Sequence, residues 1–374
     1  TTIDVSGNRV IKDSDCALCG QCITHCPVGG LRERDDTGRA FAALADPDRI
    51  TVIQVAPAVR TAWGEYFGLK REEATMERLA ACLRRLGFDY IFDTNFSADL
   101  TIMEEGNEFL HRLKSGGLTR WPMFTSCCPG WVRFLKGQYP ELTGQLSTAK
   151  SPQQMFGSVT KSWFAQKLGV ERSKLFCVSV MPCVAKKAEC ELPTMAVNQD
   201  PDVDMVLTTR ELVRMLRADK LDPARMPEEP LDSPLGTHTG AGVIFGATGG
   251  VMEAALRTAY EYMTGDKAPA VLYRLEPVRG MEAVKEASLQ VGDRTVNVAV
   301  VYGTASLRRF LERIKDGEKQ YHFVEVMTCP GGCIGGGGQP KDKKFEGDAL
   351  RQKRIDSLYK RDSAMKVRLS HENQ

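Results

Sequence analysis

The chain has 374 residues, a length typical of two domains or of one large α/β unit with an appendage. Its 50 Lys and Arg residues nearly balance its 48 Asp and Glu residues, and a net charge of +2 gives no support for nucleic-acid binding. No apolar run approaches the roughly 20 residues of a membrane helix, and no signal-peptide pattern opens the chain, so we expect a cytoplasmic protein without a membrane partner.

From residue 50 onward, strand patterns alternate with helix patterns. The predicted strands cover residues 51–55, 89–92, 122–124, 175–180, 205–207, 296–301 and 323–326. The predicted helices cover residues 74–86, 98–113, a segment from 210, 251–263 and 306–314, and Gly116 and Gly117 are expected to end the second of them. Repeated strand-then-helix order predicts parallel strands with helices on both faces of the sheet.

The cysteines are the unusual feature of the composition. There are 12 of them, too sparse for a small disulfide scaffold, and they are clustered along the chain. Because metal sites need such clusters and disulfides do not, the spacing predicts thiolates that hold iron in a reducing compartment. Cys82 lies in a predicted apolar helix and Cys177 inside a predicted strand, so both are interpreted as core thiols. Cys190 has no assigned role.

The first cysteine group has the spacing C-x2-C-x2-C-x3-C-P, which is typical of the bacterial ferredoxin motif for a [4Fe-4S] cluster. Its members are Cys16, Cys19, Cys22 and Cys26. In two-cluster ferredoxins the fourth cysteine ligates the other cluster, and this sequence has no second such run. Either Cys26 closes this cluster, or the fourth ligand comes from a segment before Thr1. A zinc knuckle is the alternative interpretation, and His25 is interpreted as an exposed loop residue.

Three further cysteine segments follow predicted strands, at residues 125–131, 181–189 and 325–340. Each places cysteine beside proline or glycine, and the glycines of the last segment let the backbone approach a ligand closely. Four thiolates, enough for a second cubane cluster, are available from Cys183, Cys329, Cys333 and one of the adjacent pair Cys127 and Cys128. The other cysteine of the pair is left for another task. A set of buried structural thiols is the alternative, which fits the glycine-rich loop badly.

These three segments resemble the signature motifs of the [FeFe]-hydrogenases, and the N-terminal run resembles the cluster motif that precedes the catalytic domain in clostridial-type members. The resemblance implies reversible reduction of protons to H₂ at an H-cluster, which is a [4Fe-4S] cluster joined to a diiron subsite with CO, cyanide and an azadithiolate bridge. It also implies at least one further [4Fe-4S] cluster, which would relay electrons from ferredoxin or a similar carrier. Maturation proteins would supply the diiron subsite.

The resemblance implies roles for individual residues. The cubane ligands would be Cys128, Cys183, Cys329 and Cys333, the last of which would also bridge to the diiron subsite. Lys186 would donate a hydrogen bond to a cyanide ligand, which suits an ammonium group in a dry pocket. The walls of the diiron site would be formed by Ala56, Pro57, Ala58, Pro152, Gln153, Met181, Phe245 and Met327. Many relatives have Ser in place of Ala58, so one hydroxyl donor is missing here. The glycine spacing around Phe245 is not that of a dinucleotide loop.

One predicted helix has a charged face with two interpretations. Glu105, Glu108 and Arg112 lie at positions i, i+3 and i+7, and a solvated surface is the ordinary interpretation of such a pattern. The resemblance instead implies a proton path that runs from Cys127 through a water, Glu105, Ser147 and Glu108 to Arg112. Carboxylates and hydroxyls can both give and accept protons, and an arginine at the mouth would keep the outer carboxylate ionised.

Related proteins of this fold define the alternatives. The resemblance extends to iron–sulfur assembly proteins that share this fold but lack the diiron site. Those proteins differ from the hydrogenases at the positions of Cys127, Glu105, Lys186 and both methionines, and this chain retains the hydrogenase residues there. Hydrogen sensors tend to lose the proton path, and electron-bifurcating subunits carry extra N-terminal cluster domains. We therefore predict a hydrogenase, with a non-catalytic assembly protein or a hydrogen-sensing relative as the alternative.

The predicted fold class is α/β, with two lobes of mainly parallel sheet flanked by helices around a buried metal cluster. Residues 1–45 are expected to form a ferredoxin-like [4Fe-4S] segment. Residues 46–374 are expected to form the H-cluster catalytic domain, with lobes over about 46–170 and 171–345 before a C-terminal tail. Because only one ferredoxin motif is present and the tail resembles only the start of the family's wrapping tail, we expect both ends to be incomplete.

Overall fold

The computed structural model describes residue 7 and residues 9–115, 120–233, 237–292, 294–342 and 344–373. The strands are β1 (Ile50–Val55), β2 (Tyr90–Asp93), β3 (Met123–Phe124), β4 (Leu175–Met181), β5 (Ala196–Val197), β6 (Asp200–Pro201), β7 (Met205–Thr208), β8 (Val284–Val291), β9 (Arg294–Tyr302) and β10 (Phe323–Met327). The predicted helix end at Gly116 and Gly117 lies outside the described residues.

The helices lie between these strands and at both ends of the chain. They are α1 (Gln21–His25), α2 (Thr37–Leu44), α3 (Met76–Leu86), α4 (Asn95–Lys114), α5 (Pro129–Gln138), α6 (Pro152–Val159), α7 (Ala165–Leu168), α8 (Ala185–Glu189), α9 (Thr209–Ala218), α10 (Gly240–Ile244), α11 (Gly250–Thr264), α12 (Thr304–Lys315) and α13 (Asp348–Ala364). A π-helical turn over Thr160–Phe164 joins α6 to α7. None of the described helices is long and apolar enough to cross a membrane.

The first sheet has the strand order β2-β1-β4-β7, and its neighbouring strands are parallel. Its side chains alternate between the two faces because successive Cβ atoms of a strand point in opposite directions. Ile53 and Val55 of β1 pack with α2, α3 and α9, whereas Val52 packs with Phe156 and Phe164 on the other face. Helices therefore cover both faces of this sheet, which confirms the predicted layer arrangement.

The second sheet has the strand order β3-β10-β9-β8. Its β3–β10 and β10–β9 pairs are parallel, but β8 and β9 form an antiparallel hairpin that the sequence patterns did not predict. Two strands joined by so short a connection can pair only in the antiparallel direction. Val298 and Val300 of β9 pack on the side of α11, and Ala299 and Val301 pack on the side of α5 and α12.

The chain crosses between the two sheets more than once. β3 belongs to the second sheet although it precedes β4 and β7 of the first sheet. The strands of the two sheets therefore alternate along the chain, and the domain and lobe bounds stay a prediction. The predicted class, α/β with mainly parallel strands and flanking helices, is confirmed.

The C-terminal segment is fixed to the body by buried polar contacts. Asp99 of α4 accepts hydrogen bonds from the hydroxyl groups of Thr239 and Ser370, at 2.6 and 2.9 Å. Arg257 of α11 pairs with Asp362 of α13 at 2.9 Å, and both side chains are fully buried. These contacts hold α4, which carries the predicted proton-path carboxylates, between the sheets and the C-terminal residues.

Candidate functional site

The candidate site lies where strands of both sheets end. Ala56 and Pro57 follow β1, and Cys183 follows β4 in the first sheet, whereas Cys127 follows β3 and Cys329 follows β10 in the second. In parallel sheets the carboxyl ends of neighbouring strands lie at the same edge, which is where such folds bind ligands. Segments that are distant in sequence are brought together there.

The four predicted cubane ligands face one another. Burial raises the pKa of the Cys333 thiol to about 12 and also raises the pKa of Cys183 and Cys329, and nearby Cys128 adds to all three effects. Thiolates crowded in this way repel one another unless a cation neutralises them, and iron would supply that charge.

The spacing of these thiols also bears on the kind of metal that they fit. Among the described residues, no group of three His, Cys, Asp or Glu side chains could hold a single metal ion. A cluster places different demands on its ligands, because each thiolate binds its own iron atom. All four donors are cysteines, which is the donor set that a [4Fe-4S] cluster takes.

Two glycines allow the cysteine segments to pack closely. Gly332 has a φ of +88°, and a Cβ atom there would lie 2.6 Å from the backbone N of Thr248. Gly20, within the N-terminal motif, has a φ of +74°, and a Cβ atom there would lie 2.7 Å from Val184. Neither position could accept a side chain without displacing its neighbour, so the backbone itself forms the close packing around the thiols.

A cavity of about 60 Å³ lies beside the thiols. Every residue predicted to wall the diiron site lines it: Ala56, Pro57, Ala58, Pro152, Gln153, Met181, Lys186, Phe245 and Met327. Cys127, Cys183 and Cys333 also line it. The sequence prediction did not include Thr94, Ala98, Pro182 and Gly246, which complete the lining and carry no chemical signature that a pattern could reveal.

Lys186 is a buried ammonium group with three acceptors. Its Nζ atom donates to the backbone oxygen of Cys127 at 3.0 Å and to the two carboxylate oxygens of Glu189 at 3.0 and 2.8 Å. Burial by itself would lower the pKa of Lys186, but the Glu189 carboxylate raises it above its ordinary value. The cavity therefore contains a positive charge that is held in place.

Glu189 is the charged residue of this site that the sequence prediction did not assign. Its Oε2 atom also accepts hydrogen bonds from Ser151 Oγ at 3.0 Å and from Gln153 Nε2 at 3.1 Å. The Lys-x-x-Glu spacing on α8 was a usable signal, because residues three apart share a helix face. The sequence could not show that this face meets the cavity.

Three of the predicted proton-path residues, Ser147, Glu108 and Arg112, are joined by direct contacts, and Glu105 lies beside them. Glu105 is 1 % exposed, and burial raises its pKa to about 7 although Ser126 N–H and the Ser147 hydroxyl stabilise the charged form. Ser147 Oγ donates to Glu108 Oε2 at 3.0 Å, and Arg112 pairs with Glu108 Oε1 at 2.6 Å. Glu105 is thus not part of a solvated face, and its Oε2 atom has no hydrogen-bond partner among the described residues.

The N-terminal cysteines lie nearer the surface than the other group. Cys22 is exposed, whereas Cys16, Cys19 and Cys26 are half-buried. The backbone N–H of Leu31 lowers the pKa of Cys26, and such donors are suited to a cluster thiolate. The ligand set of this motif, including its fourth member, stays a prediction. His25 is exposed at the end of α1 rather than in a loop.

The N-terminal motif is attached directly to the cysteine segments of the second group. Gln21 Nε2 donates to the backbone oxygen of Gly335 at 2.9 Å. Arg133, on the helix that begins immediately after Cys128, donates to the backbone oxygens of Cys16 at 2.7 Å and Ser14 at 2.9 Å. The two cysteine groups are therefore neighbours in space.

Two neighbouring groups of cysteine thiols, a small and mostly apolar cavity, and a buried carboxyl group fit an iron–sulfur protein. The sequence model of the protein family described as iron-only hydrogenase large subunit, C-terminal domain, matches residues 49–337 of the chain. The chain belongs to the iron-only hydrogenase family. Membership of this family implies iron–sulfur clusters and an H-cluster.

Individual relatives agree with this membership. The chain is 50 % identical over 368 residues to the NADP-reducing hydrogenase subunit HndD of Solidesulfovibrio fructosivorans, covering 97 % of this chain and 62 % of that protein. It is 43 % identical over 349 residues to iron hydrogenase 1 of Clostridium pasteurianum, covering 93 % of this chain and 60 % of that protein. The chain thus spans about three fifths of the length of both relatives.

A solved structure and a more distant relative mark the range of the family. The structure of apo [FeFe]-hydrogenase HydA1 from Chlamydomonas reinhardtii matches with a TM-score of 0.80 and 40 % identity, covering 91 % of this chain and 92 % of that one. Cytosolic iron–sulfur assembly component 3 of Bos taurus is 31 % identical over 368 residues, covering 93 % of this chain and 75 % of that protein.

Proposed function

We propose that this chain is the catalytic part of an [FeFe]-hydrogenase that interconverts protons, electrons and H₂. The observation that carries the proposal is the buried carboxyl group of Glu105 beside the bonded group of Ser147, Glu108 and Arg112, which leads away from the cavity that contains Cys127. A protein that only carries or assembles clusters has no need for a buried proton relay. The hydrogenase relatives support the same conclusion.

The cavity residues fit an H-cluster. When bound, its diiron subsite would supply the redox chemistry and, with its azadithiolate bridge, a basic site for proton exchange. Cys128, Cys183, Cys329 and Cys333 would hold the cubane, and Lys186 would donate to a cyanide ligand. The two methionines give apolar walls that exclude water. Ala58 supplies no hydroxyl group, so the protein offers one hydrogen bond fewer to the cyanides than a relative with Ser.

Protons would move along the chain's own groups in short steps. The Cys127 thiol would exchange a proton with Glu105 Oε2 through a water, because that oxygen is buried and has no partner among the described residues. A carboxyl group with a pKa of about 7 can both take and release a proton near neutral pH. The path would continue from Glu105 through Ser147, whose Oγ donates to Glu108 Oε2, and Arg112 pairs with the other oxygen of Glu108 at the outer end.

Electrons would enter through the N-terminal segment. A [4Fe-4S] cluster on Cys16, Cys19, Cys22 and Cys26 would lie beside the cubane ligands, because Gln21 and Arg133 attach this segment to the second cysteine group. The exposed Cys22 marks the side on which ferredoxin or a similar carrier would dock. Because HndD is a subunit of an NADP-reducing hydrogenase, a second subunit would be the alternative electron partner of this segment.

Several further expectations belong to this proposal. The chain would act in the cytoplasm, and maturation proteins would supply its diiron subsite, a dependence suggested by a related structure described as stepwise H-cluster assembly. Residues 1–45 would be the electron-entry segment and residues 46–374 the catalytic domain.

The second candidate function is that of a non-catalytic iron–sulfur assembly protein, which the 31 % identical assembly component favours.

Infrared spectroscopy of the matured protein distinguishes the two candidates. A hydrogenase is expected to show bands from metal-bound CO and cyanide, and to evolve H₂ with a chemical reductant. Iron analysis provides the control, because both candidates bind iron–sulfur clusters. Clusters present without CO and cyanide bands, after maturation that succeeds on a known hydrogenase, would favour the assembly protein.

A further inference from the structure

Glu189 occupies a place that the mechanism above does not use. Its side chain is 5 % exposed and lies one helical turn after Lys186 on α8. The neighbouring Lys187 points elsewhere and pairs with Asp36 at 2.6 Å and Glu211 at 2.9 Å. The two adjacent lysines thus have separate carboxylate partners, and only the partner of Lys186 reaches the cavity wall.

The hydrogen bonds of Lys186 are fully used by the protein itself. An ammonium group has three N–H donors, and Lys186 finds three acceptors in Cys127 O and the two oxygens of Glu189. A ligand of the cavity that is to receive a hydrogen bond from Lys186 must therefore take over one of these donors. The contact that Lys186 gives up must be one whose loss does not leave a buried acceptor without a hydrogen bond.

The two oxygens of Glu189 differ in this respect. Oε2 accepts from Ser151 Oγ and Gln153 Nε2 as well as from Lys186, so it keeps two donors when the lysine turns away. The contact between Lys186 and Oε1, at 3.0 Å, meanwhile keeps the opposite charge beside the ammonium. Loss of the Oε2 contact therefore costs little, because no buried acceptor is left unsatisfied.

From these contacts we infer that Glu189 is a positioning residue that holds the Lys186 ammonium charged at the cavity wall and releases the N–H bonded to its Oε2 atom to an anionic ligand in the cavity. Ser151 and Gln153 fix the carboxylate for this role. The inference rests on the proposed function, since the anionic ligand would be a cyanide of the diiron subsite. Gln153 would thus act on Lys186 through Glu189 as well as forming part of the wall.

The test uses the full chain with its cubane in place, loaded with a synthetic diiron complex that carries CO and cyanide. Glu189→Gln removes the negative charge and one acceptor while it keeps the shape of the side chain. We expect its cyanide infrared bands to shift from the wild-type positions, and the retained diiron content to fall by roughly tenfold, because one partner of a buried pair is lost. Glu189→Asp, which keeps the charge, is expected to recover part of both signals.

The matched control is Glu191→Gln, the same change two residues along the chain. Glu191 is exposed and pairs with Arg34 at 2.6 Å, so both readouts should stay at wild-type values. Wild-type cyanide bands and diiron content in Glu189→Gln would overturn the inference. Absence of CO and cyanide bands from the loaded wild-type protein would overturn the proposed function instead.

If Glu189→Gln does not fold or does not hold the cubane, a second variant, Ser151→Ala, tests the inference. Ser151→Ala removes one of the donors that fix Oε2 and leaves the carboxylate in place. With that donor gone, Oε2 holds the Lys186 N–H more firmly, so a smaller shift of the cyanide bands is expected. Cyanide bands at wild-type positions in this variant would then overturn the inference.

Discussion

The two cysteine groups offer the same kind of ligand in opposite surroundings. In the N-terminal group Cys22 is exposed, whereas Cys329, in the group between the strand ends, is buried. Cys183 of the same group lies near the charged Lys186. A cluster near the surface is accessible to a protein partner, and a cluster beside a dry cavity can keep its ligands away from water. Because both groups offer thiolates, it is their surroundings that suit one group to the proposed electron entry and the other to the proposed chemistry.

The largest effect is expected inside the buried region. Cys127→Ala should leave the cubane bound, because Cys127 is not one of its proposed ligands, but H₂ evolution should fall by roughly 1,000-fold because the first proton carrier is lost. Iron content and H₂ evolution are the two measurements. Cys82→Ala, which removes a buried thiol from α3, is the control and should retain activity. H₂ evolution near the wild-type rate in Cys127→Ala would contradict the proton path.

The second prediction separates a buried carboxylate from its exposed neighbour. Glu105→Gln should reduce H₂ evolution by about 100-fold, because an amide cannot relay a proton as a carboxyl group does. Glu104→Gln is the matched control on the same helix, since Glu104 is exposed and should be dispensable. The rates are measured with a chemical reductant in excess, so that electron entry does not limit them. Equal losses in both variants would show that α4 is sensitive to charge rather than to the relay.

A third prediction concerns pH. The folded pKa of Glu105, about 7, lies above its ordinary value of 4.5, so the folded chain binds this proton more tightly than the unfolded chain does. The free energy of unfolding should therefore decrease as the pH rises from about 4.5 to 7. Denaturant titrations of the cubane-containing protein measure this slope, which Glu105→Gln should flatten. If Glu105→Gln left the pH dependence of the free energy of unfolding unchanged, a group other than Glu105 would be responsible for it.

The smallest effect is expected at the exposed group. Cys22→Ala should reduce H₂ evolution driven by reduced ferredoxin severalfold, because the entry cluster loses a ligand. The CO and cyanide bands of the loaded protein should not change, since the cavity is untouched. Comparison of a protein donor with a small chemical reductant isolates electron entry. Equal rates with ferredoxin before and after the substitution would remove the N-terminal group from the electron route.

Much of the fold could be predicted because its buried strands are short apolar runs between helices. The prediction for β1 differs from the observed Ile50–Val55 by one residue. β8 was missed because it lies at the edge of its sheet and its buried positions include Lys285 and the small Ala287, so the apolar alternation that marks a strand is weak. The helix α5 was missed although Pro129 stands at its first position, which is a recognised start signal.

Site residues that belong to long sequence motifs could be predicted. Residues that reach the site only because of how the chain packs could not. Apart from Thr94, Ala98, Pro182 and Gly246, the residues that line the cavity follow from the sequence motifs and their resemblance to a family. The roles of Thr94 and Gly246 depend only on the space that they leave, which no residue pattern encodes. Cys82 and Cys177 are buried core thiols as predicted, and Cys190, unassigned from sequence, is also buried and donates to the backbone oxygen of Lys187.

The division of the ligands between two sheets has a thermodynamic consequence. Cys183 is contributed by the first sheet, whereas Cys128 and Cys329 are contributed by the second, so neither sheet can form the site alone. A group bound by all of them has no affinity for either half apart, and by mass action its binding free energy adds to the cohesion of the two halves. Iron loading and resistance to unfolding should therefore rise and fall together in this protein.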